Sequence, residues 1–411
     1  MMCSSIRMFC WGRSLSLLTG VIACVASGSP EACGGDRIVA WGAGTFVSSP
    51  PDYNNYGQSI VPANLTNATL VTGGWRHSLA LNNNGTLTAW GDDTLGQTDF
   101  PSQTNWLAIA CGRLHSLALD TNGIVTAAGD DGFGQTEVPG NLSNIVAVAC
   151  GFYHSLVLRA NGTVAAWGTS TNINTIGTDP SYGQAIVPAD LSNVVAIAAG
   201  GWHNLALRSD GTLHGWGRDD YGQADIPAGF SNIVAVSAGA AHNMALRADG
   251  TVVSWGLNIY GQTNVPAGLS NVVAIAAGGW HNLALKSDGT VVAWGAGGPS
   301  TNALVVCGQN MVPSGLTNVI QIAAGAVHSL ALAGTAPPAL AAALVNAAIT
   351  TNGFHLEVGT RPGRVYALEY KNSLADKSWT PFPLQAGTGG LLRFTDPNPG
   401  TATRFYRVRR W

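Results

Sequence analysis

Seven of the nine histidines recur in one register: His77, His115, His154, His203, His242, His281 and His328. Histidine sets build metal sites, but one ion needs three or four ligands at about 2.0–2.1 Å. Positions repeated around a ring cannot converge on one ion, so these read as structural residues hydrogen-bonded to loop backbone. His214 and His355 fall outside the register. Carboxylates of the kind that hold calcium occur at Asp92-Asp93, Asp130-Asp131 and Asp219-Asp220. Each pair belongs to a separate copy and matches no calcium loop, so they read as solvated turn residues. No Gly-x-Ser-x-Gly, His-Glu-x-x-His or P-loop is present. Among the seven cysteines there is no CxxC pair. Cys111 and Cys150 occupy one position of neighbouring copies and read as small buried thiols. The chain is expected to be no enzyme and to hold no metal and no cofactor.

The elements that carry these residues repeat. Trp41-Gly42, Trp90-Gly91, Ala128-Gly129, Trp167-Gly168, Trp216-Gly217, Trp255-Gly256 and Trp294-Gly295 mark the register of the histidines. A Gly-Gln pair follows each, beginning at Gly57, Gly96, Gly134, Gly183, Gly222, Gly261 and Gly308. Histidine spacing is 38 or 39 residues, with longer intervals of 47 and 49. Each unit reads as four short strands. The first ends in small residues and Gly, and the second begins at the His. An Asn-Gly or Asp-Gly hairpin with two positive φ values follows. The third strand ends in Trp-Gly, and the fourth in Pro, as an edge strand can. Seven such units predict an all-β fold, a seven-bladed β-propeller. The first copy starts near Arg37 and lacks strands one and two. The last supplies only those strands, Val319 to Leu332, so N- and C-terminal strands close the ring and remove open edges.

Composition agrees. Gly is 53 of 411 residues and charged residues are 10%, which excludes coiled coils and helical bundles. A hydrophobic share of 46% excludes disorder, and a net charge of −3 gives no footprint for nucleic acid. Residues 1–28 read as a signal peptide: Arg7 and Arg13 precede a short apolar run from Leu15 to Val25. Val21-Ile22-Ala23-Cys24 is similar to a bacterial lipobox, which makes Cys24 a candidate lipidation site and the only route to the membrane. Residues 29–35 form a linker, 36–333 the propeller, 334–345 a Pro/Ala-rich linker, and 346–411 a small C-terminal β-sandwich-like domain.

The run Ala-Gly-x-x-His-Ser/Asn-Leu-Ala-Leu, then Gly-Thr-Val-x-Ala-Trp-Gly, then Gly-Gln, resembles the regulator-of-chromosome-condensation repeat over residues 36–333. The short repeat and Gly-Gln-x-x-Val-Pro look like bacterial secreted members, including the propeller-type inhibitory protein of class A β-lactamases. The resemblance implies a seven-bladed propeller whose faces bind proteins. Nuclear members promote guanine-nucleotide exchange, but an exported chain would not meet that partner.

Alternating strand direction puts the Gly-x-x-His and Trp-Gly…Gly-Gln loops on one face, the top. Three insertions fall there: Ala43–Tyr56, Thr169–Tyr182 and Ala296–Cys307. The variable x-x residues include Trp75, Arg76, Arg113, Phe152, Tyr153, Trp202 and Trp280. Aromatics and Arg anchor protein interfaces, and in the inhibitor branch the corresponding loops carry aromatics to the partner. These seven are the expected partner contacts; packing between blades is the competing role. The aromatic residue before Gly-Gln, as at Tyr56, Phe133, Tyr182, Tyr221 and Tyr260, is expected to pack. The expected protein is a monomer, secreted or in the cell envelope, that binds an extracytoplasmic protein. A glycan ligand, or polysaccharide cleavage by carboxylates gathered at the channel mouth, is the alternative.

Overall fold

The computed structural model describes residues 37–44, 55–169, 181–297, 307–335, 344–350, 353–373, 375–376, 378–399 and 404–411. The expected signal peptide, Cys24, the linker 29–35, the linker 334–345 apart from its ends, and most of the three insertions lie outside these residues. Seven three-stranded antiparallel sheets are the blades. Blade one combines Val319–Ala324, His328–Ala333 and Arg37–Gly42, with Arg37 opposite Ala333 and Gly42 opposite His328. Pairing the early strand with the late hairpin satisfies backbone groups that an open array would expose. Blade two is Ala68–Gly73, His77–Asn82 and Leu87–Gly91. Blades three to six follow in chain order, and blade seven ends in Val291–Gly295.

Four-stranded blades are not what forms. After Trp90-Gly91, Ala128-Gly129, Trp216-Gly217 and Trp255-Gly256 the chain turns and runs on to the next blade without making a ladder. In blade two, Trp90 Nε1 donates to Gln58 O at 2.9 Å, and Gln58 belongs to the preceding unit. The Gln side chain folds back: Tyr56 N donates to Gln58 Oε1, and Tyr182 N to Gln184 Oε1. This Gln is buried in every unit. Ile60 N donates to Gly57 O and Leu65 N to Pro62 O, so these groups of the segment are engaged in turns rather than in a fourth ladder.

The hairpin between the second and third strands also differs from expectation. Only its Gly is left-handed, as at Gly162 (φ 79°) and Gly250 (φ 85°); the preceding Asn or Asp is not. Gly162 N donates to Arg159 O and Arg159 N to Thr163 O, the pattern of a three-residue loop with a Gly bulge. Asn161 Oδ1 instead accepts from Thr163 N and Oγ1. The side chain thus replaces the second positive φ as the turn's organiser.

The C-terminal residues form two further sheets. Leu344–Thr350, Gly353–Gly359 and Leu391–Asp396 make one. Val365–Lys371, Phe405–Arg410 and two two-residue strands make the other. Phe354, Leu356, Tyr366, Leu368, Phe394 and Tyr406 fill the space between them. This module sits under the propeller, on the face of the Asn-Gly and Asp-Gly hairpins. Leu384 N donates to Ser209 O, and Arg409 Nη1 to Ala248 O. Its Val365, Ala367, Leu384 and Trp411 share an apolar core with Val195 and Val234 of the innermost strands.

Candidate functional site

The top face is built on a ring of buried polar residues. Each repeat histidine is buried, and its Nε2 reaches the side chain of the next blade. The partners run His77 to Ser116, His115 to Ser155, His154 to Asn204 and His203 to Asn243. They continue His242 to Asn282, His281 to Ser329 and His328 to Ser78, and so close on themselves. Separations are 2.7–3.1 Å. Each Ser or Asn donates in turn to the carbonyl of a Gly-Gln glutamine, as Asn243 Nδ2 does to Gln223 O at 2.7 Å. The acceptor role left to Asn Oδ1 requires a proton on His Nε2. The histidines therefore bond side chains of the adjacent blade rather than loop backbone. Burial pushes their pKa from 6.5 to about 4 at His77, His154, His203 and His242, and to about 3 at His115, His281 and His328.

Glycines let the blades meet at the axis. A Cβ on Gly200 would lie 2.2 Å from His203 Cε1 and 2.7 Å from Gly239 O. Backbone bonds between blades then fix the x-x residues: Trp75 N to Gly112 O, Phe152 N to Gly201 O, and Ala326 N to Gly74 O.

Four of the expected contact residues converge over the axis. Trp75 of blade two meets Phe152 of blade four at 5.0 Å between ring centroids and Trp280 of blade seven at 5.7 Å. Phe152 meets Trp202 at 4.8 Å. Trp75 thus meets rings two blades away on either side and bridges the channel, while Phe152 and Trp202 come from neighbouring blades. All four are half-buried. Beneath them lies a cavity of about 70 Å³ lined by Gly, Ala, Cys111, Cys150, Trp75 and Phe152. No carboxylate lines it. Both cysteines are free thiols; burial pushes Cys111 up to about 12 and Cys150 well above the usual thiol range.

Around this cluster the cations lie on ring faces. Arg113 sits 4.9 Å from the Trp75 ring and 5.2 Å from Tyr153. Arg76 lies over Tyr56 at 4.8 Å and bonds its hydroxyl. Arg218, which the sequence reading passed over, lies over Tyr182 at 4.8 Å and Trp202 at 5.2 Å. Its signal was available: it directly follows Trp216-Gly217, in a top loop. The aromatic-arginine surface therefore spans blades two to five and takes Trp280 from blade seven. Blades six and one carry Ala240-Ala241 and Ala326-Val327 at the same positions, all buried.

Two expectations about neighbouring residues hold only in part. Of the rings before Gly-Gln, Tyr56, Tyr182 and Tyr260 are half-buried, while Phe133 and Tyr221 are 44% and 48% exposed. The constant element is its backbone N–H, held by the Gln side chain. Asp92 is buried, not solvated. One Asp of each pair ties its loop: Asp93 Oδ1 accepts from Thr98 N, Asp131 Oδ1 from Thr136 N, and Asp219 Oδ1 from Ala224 N.

Seven blades, one split between distant parts of the chain, and one interlocking His, Gln and Gly set per blade define a closed repeat propeller. The regulator of chromosome condensation (RCC1) repeat matches residues 68–97, 106–135, 145–173, 194–223, 233–262 and 272–298. The chain belongs to this RCC1-repeat propeller family. The split blade lies outside those six matches. Prp20p from Saccharomyces cerevisiae, described with its binding to Gsp1p and histones, superposes with a TM-score of 0.58. It is 20% identical over 73% of this chain and 91% of that chain. Human WBSCR16 gives 0.56 at 21% identity, over 73% and 99%. These likenesses concern the fold. A search of curated proteins gave no match.

Proposed function

We propose that the chain is an exported, non-catalytic propeller that binds a protein through its top face. The observation that carries this reading is the aromatic-arginine surface over blades two to five and Trp280 of blade seven. Trp75, Arg76, Arg113, Phe152, Tyr153, Trp202 and Trp280 contribute to it, together with Arg218. Rings already stacked and capped by guanidinium groups lose little side-chain entropy on binding, which suits them to anchor a partner. The underside supports the same assignment, because the C-terminal module occupies it. Relatives offer a precedent: Prp20p binds Gsp1p and histones, and a second structure has Kap60 bound to it. Export rests on residues 1–28, with Cys24 as the proposed lipid-bearing residue; the bacterial secreted branch remains the proposed affiliation.

The test is capture of proteins from envelope and culture extracts by residues 36–411. A matched bait carries Arg113→Ala, Tyr153→Ala and Arg218→Ala, which trim the rim and leave the central cluster in place. A protein held by the first bait and released at least tenfold more readily by the second supports the reading. Equal capture by two folded baits removes the binding site from this face. Binding on a glycan array without protein capture would favour the sugar-binding alternative, since the same rings can stack on sugars.

A further inference from the structure

We propose that a cavity between the underside of the propeller and the C-terminal module is a binding site for a small tetrahedral oxyanion of the phosphate or sulfate type. The cavity measures about 200 Å³. The propeller contributes Thr69 from blade two and Gln321 from blade one; the module contributes Arg361, Arg364, Arg410 and Trp411. No Asp or Glu side chain lines it. The side-chain acids Asp396 and Glu369 are engaged elsewhere: Asp396 pairs with Arg404, and Glu369 with Arg407 and Arg409. Arg361 and Arg364 form no ion pair among the described residues.

Three like charges do not gather around a cavity without cost. Burial and the neighbouring Arg410 and Arg361 hold the Arg364 guanidinium below its usual range. Arg410 is aimed by a hydrogen bond to Tyr366, whose hydroxyl also accepts from Arg361 N at 3.0 Å. The cluster is thus positioned by the module's own core and not left to drift into solvent. A dianion with oxygens in several directions can accept from guanidinium groups on different sides, and from the Gln321 amide NH2, whose Oε1 is already taken by Val71 N. A monocarboxylate offers two oxygens in one plane and would leave part of the charge uncompensated. Bound there, the anion would join module to propeller.

The experiment uses the full chain in a zwitterionic buffer, with inorganic phosphate titrated against sodium chloride at matched ionic strength. Calorimetry and thermal denaturation are both read. Expected is saturable phosphate binding with a rise in Tm of a few degrees. Arg364→Gln should weaken binding at least tenfold while melting no lower than the parent without phosphate, because it relieves repulsion. Arg361→Gln, at an exposed position, repeats the test should that variant fail to fold. Arg393→Gln, elsewhere on the module, should bind as the parent does. A phosphate monoester binding tenfold more tightly than the free ion assigns the site to the phosphoryl group of a larger molecule; equal or weaker binding assigns it to the ion. Absence of a phosphate response beyond that of chloride, or an unchanged response in both Arg361→Gln and Arg364→Gln, overturns the proposal.

Discussion

Replacing Asn243 by Ala tests whether the polar ring holds the propeller together. Asn243 is fully buried, accepts from His203 Nε2 at 2.7 Å and donates to Gln223 O at 2.7 Å. Ala leaves both partners buried with no substitute. Each stranded group costs about 1–3 kcal/mol, so the loss should be about 2–6 kcal/mol. At about 2 °C per kcal/mol for a large domain, Tm falls by about 4–12 °C. Asn243→Ser is the control. Ser occupies this position in four other blades, where one hydroxyl accepts from His and donates to the Gln carbonyl. It should cost less than about 1.5 kcal/mol, the net worth of an ordinary hydrogen bond. Differential scanning calorimetry of the two variants decides the matter. If Asn243→Ala melts within error of Asn243→Ser, the ring is not what joins the blades.

The same ring sets a pH dependence. Its histidines titrate at about 3–4 in the fold against 6.5 in the unfolded chain. The unfolded state therefore binds protons first as pH falls, so stability is complete above about 6.5 and lost toward pH 4, at about 1.4 kcal/mol per pH unit for each histidine. Urea midpoints from pH 7.5 to 4.5 should decline steeply, with several protons taken up per molecule unfolded; a flat profile contradicts the buried neutral state. Gly217→Ala should cost more than about 2 kcal/mol, because φ is +101° and the new Cβ would lie 2.6 Å from Trp202 O. Gly222→Ala, with a similar φ but open space around its Cβ, should be milder in the same urea titration.

The repeat register was legible because each mark has a local cause: Gly at a left-handed turn, small residues at a crowded axis, Trp at a strand end. The split blade could be read from the missing strands at the two ends of the array. The blade's fourth strand was misread, because extended sequence followed by Pro says nothing about whether its amides find a ladder or a turn. The hairpin type was misread for a related reason, since Asn-Gly and Asp-Gly serve both two-residue and three-residue loops. Of the candidate site, the positions of the seven contact residues on the top face followed from strand alternation. Arg218 did not emerge, because its importance lies in being within reach of Tyr182 and Trp202 from separate loops.

By itself, then, the sequence determined the number of blades, the closure and the identity of the faces, because these follow from period, hydrogen-bond demand and chain direction. Only the tertiary structure decided that rings from blades two, four, five and seven meet over the axis, and that each His bonds the blade after it. It alone seated the C-terminal module beneath the propeller around an arginine-lined cavity. Those contacts join residues up to hundreds of positions apart, and packing geometry selects them from many pairings that local pattern leaves equivalent.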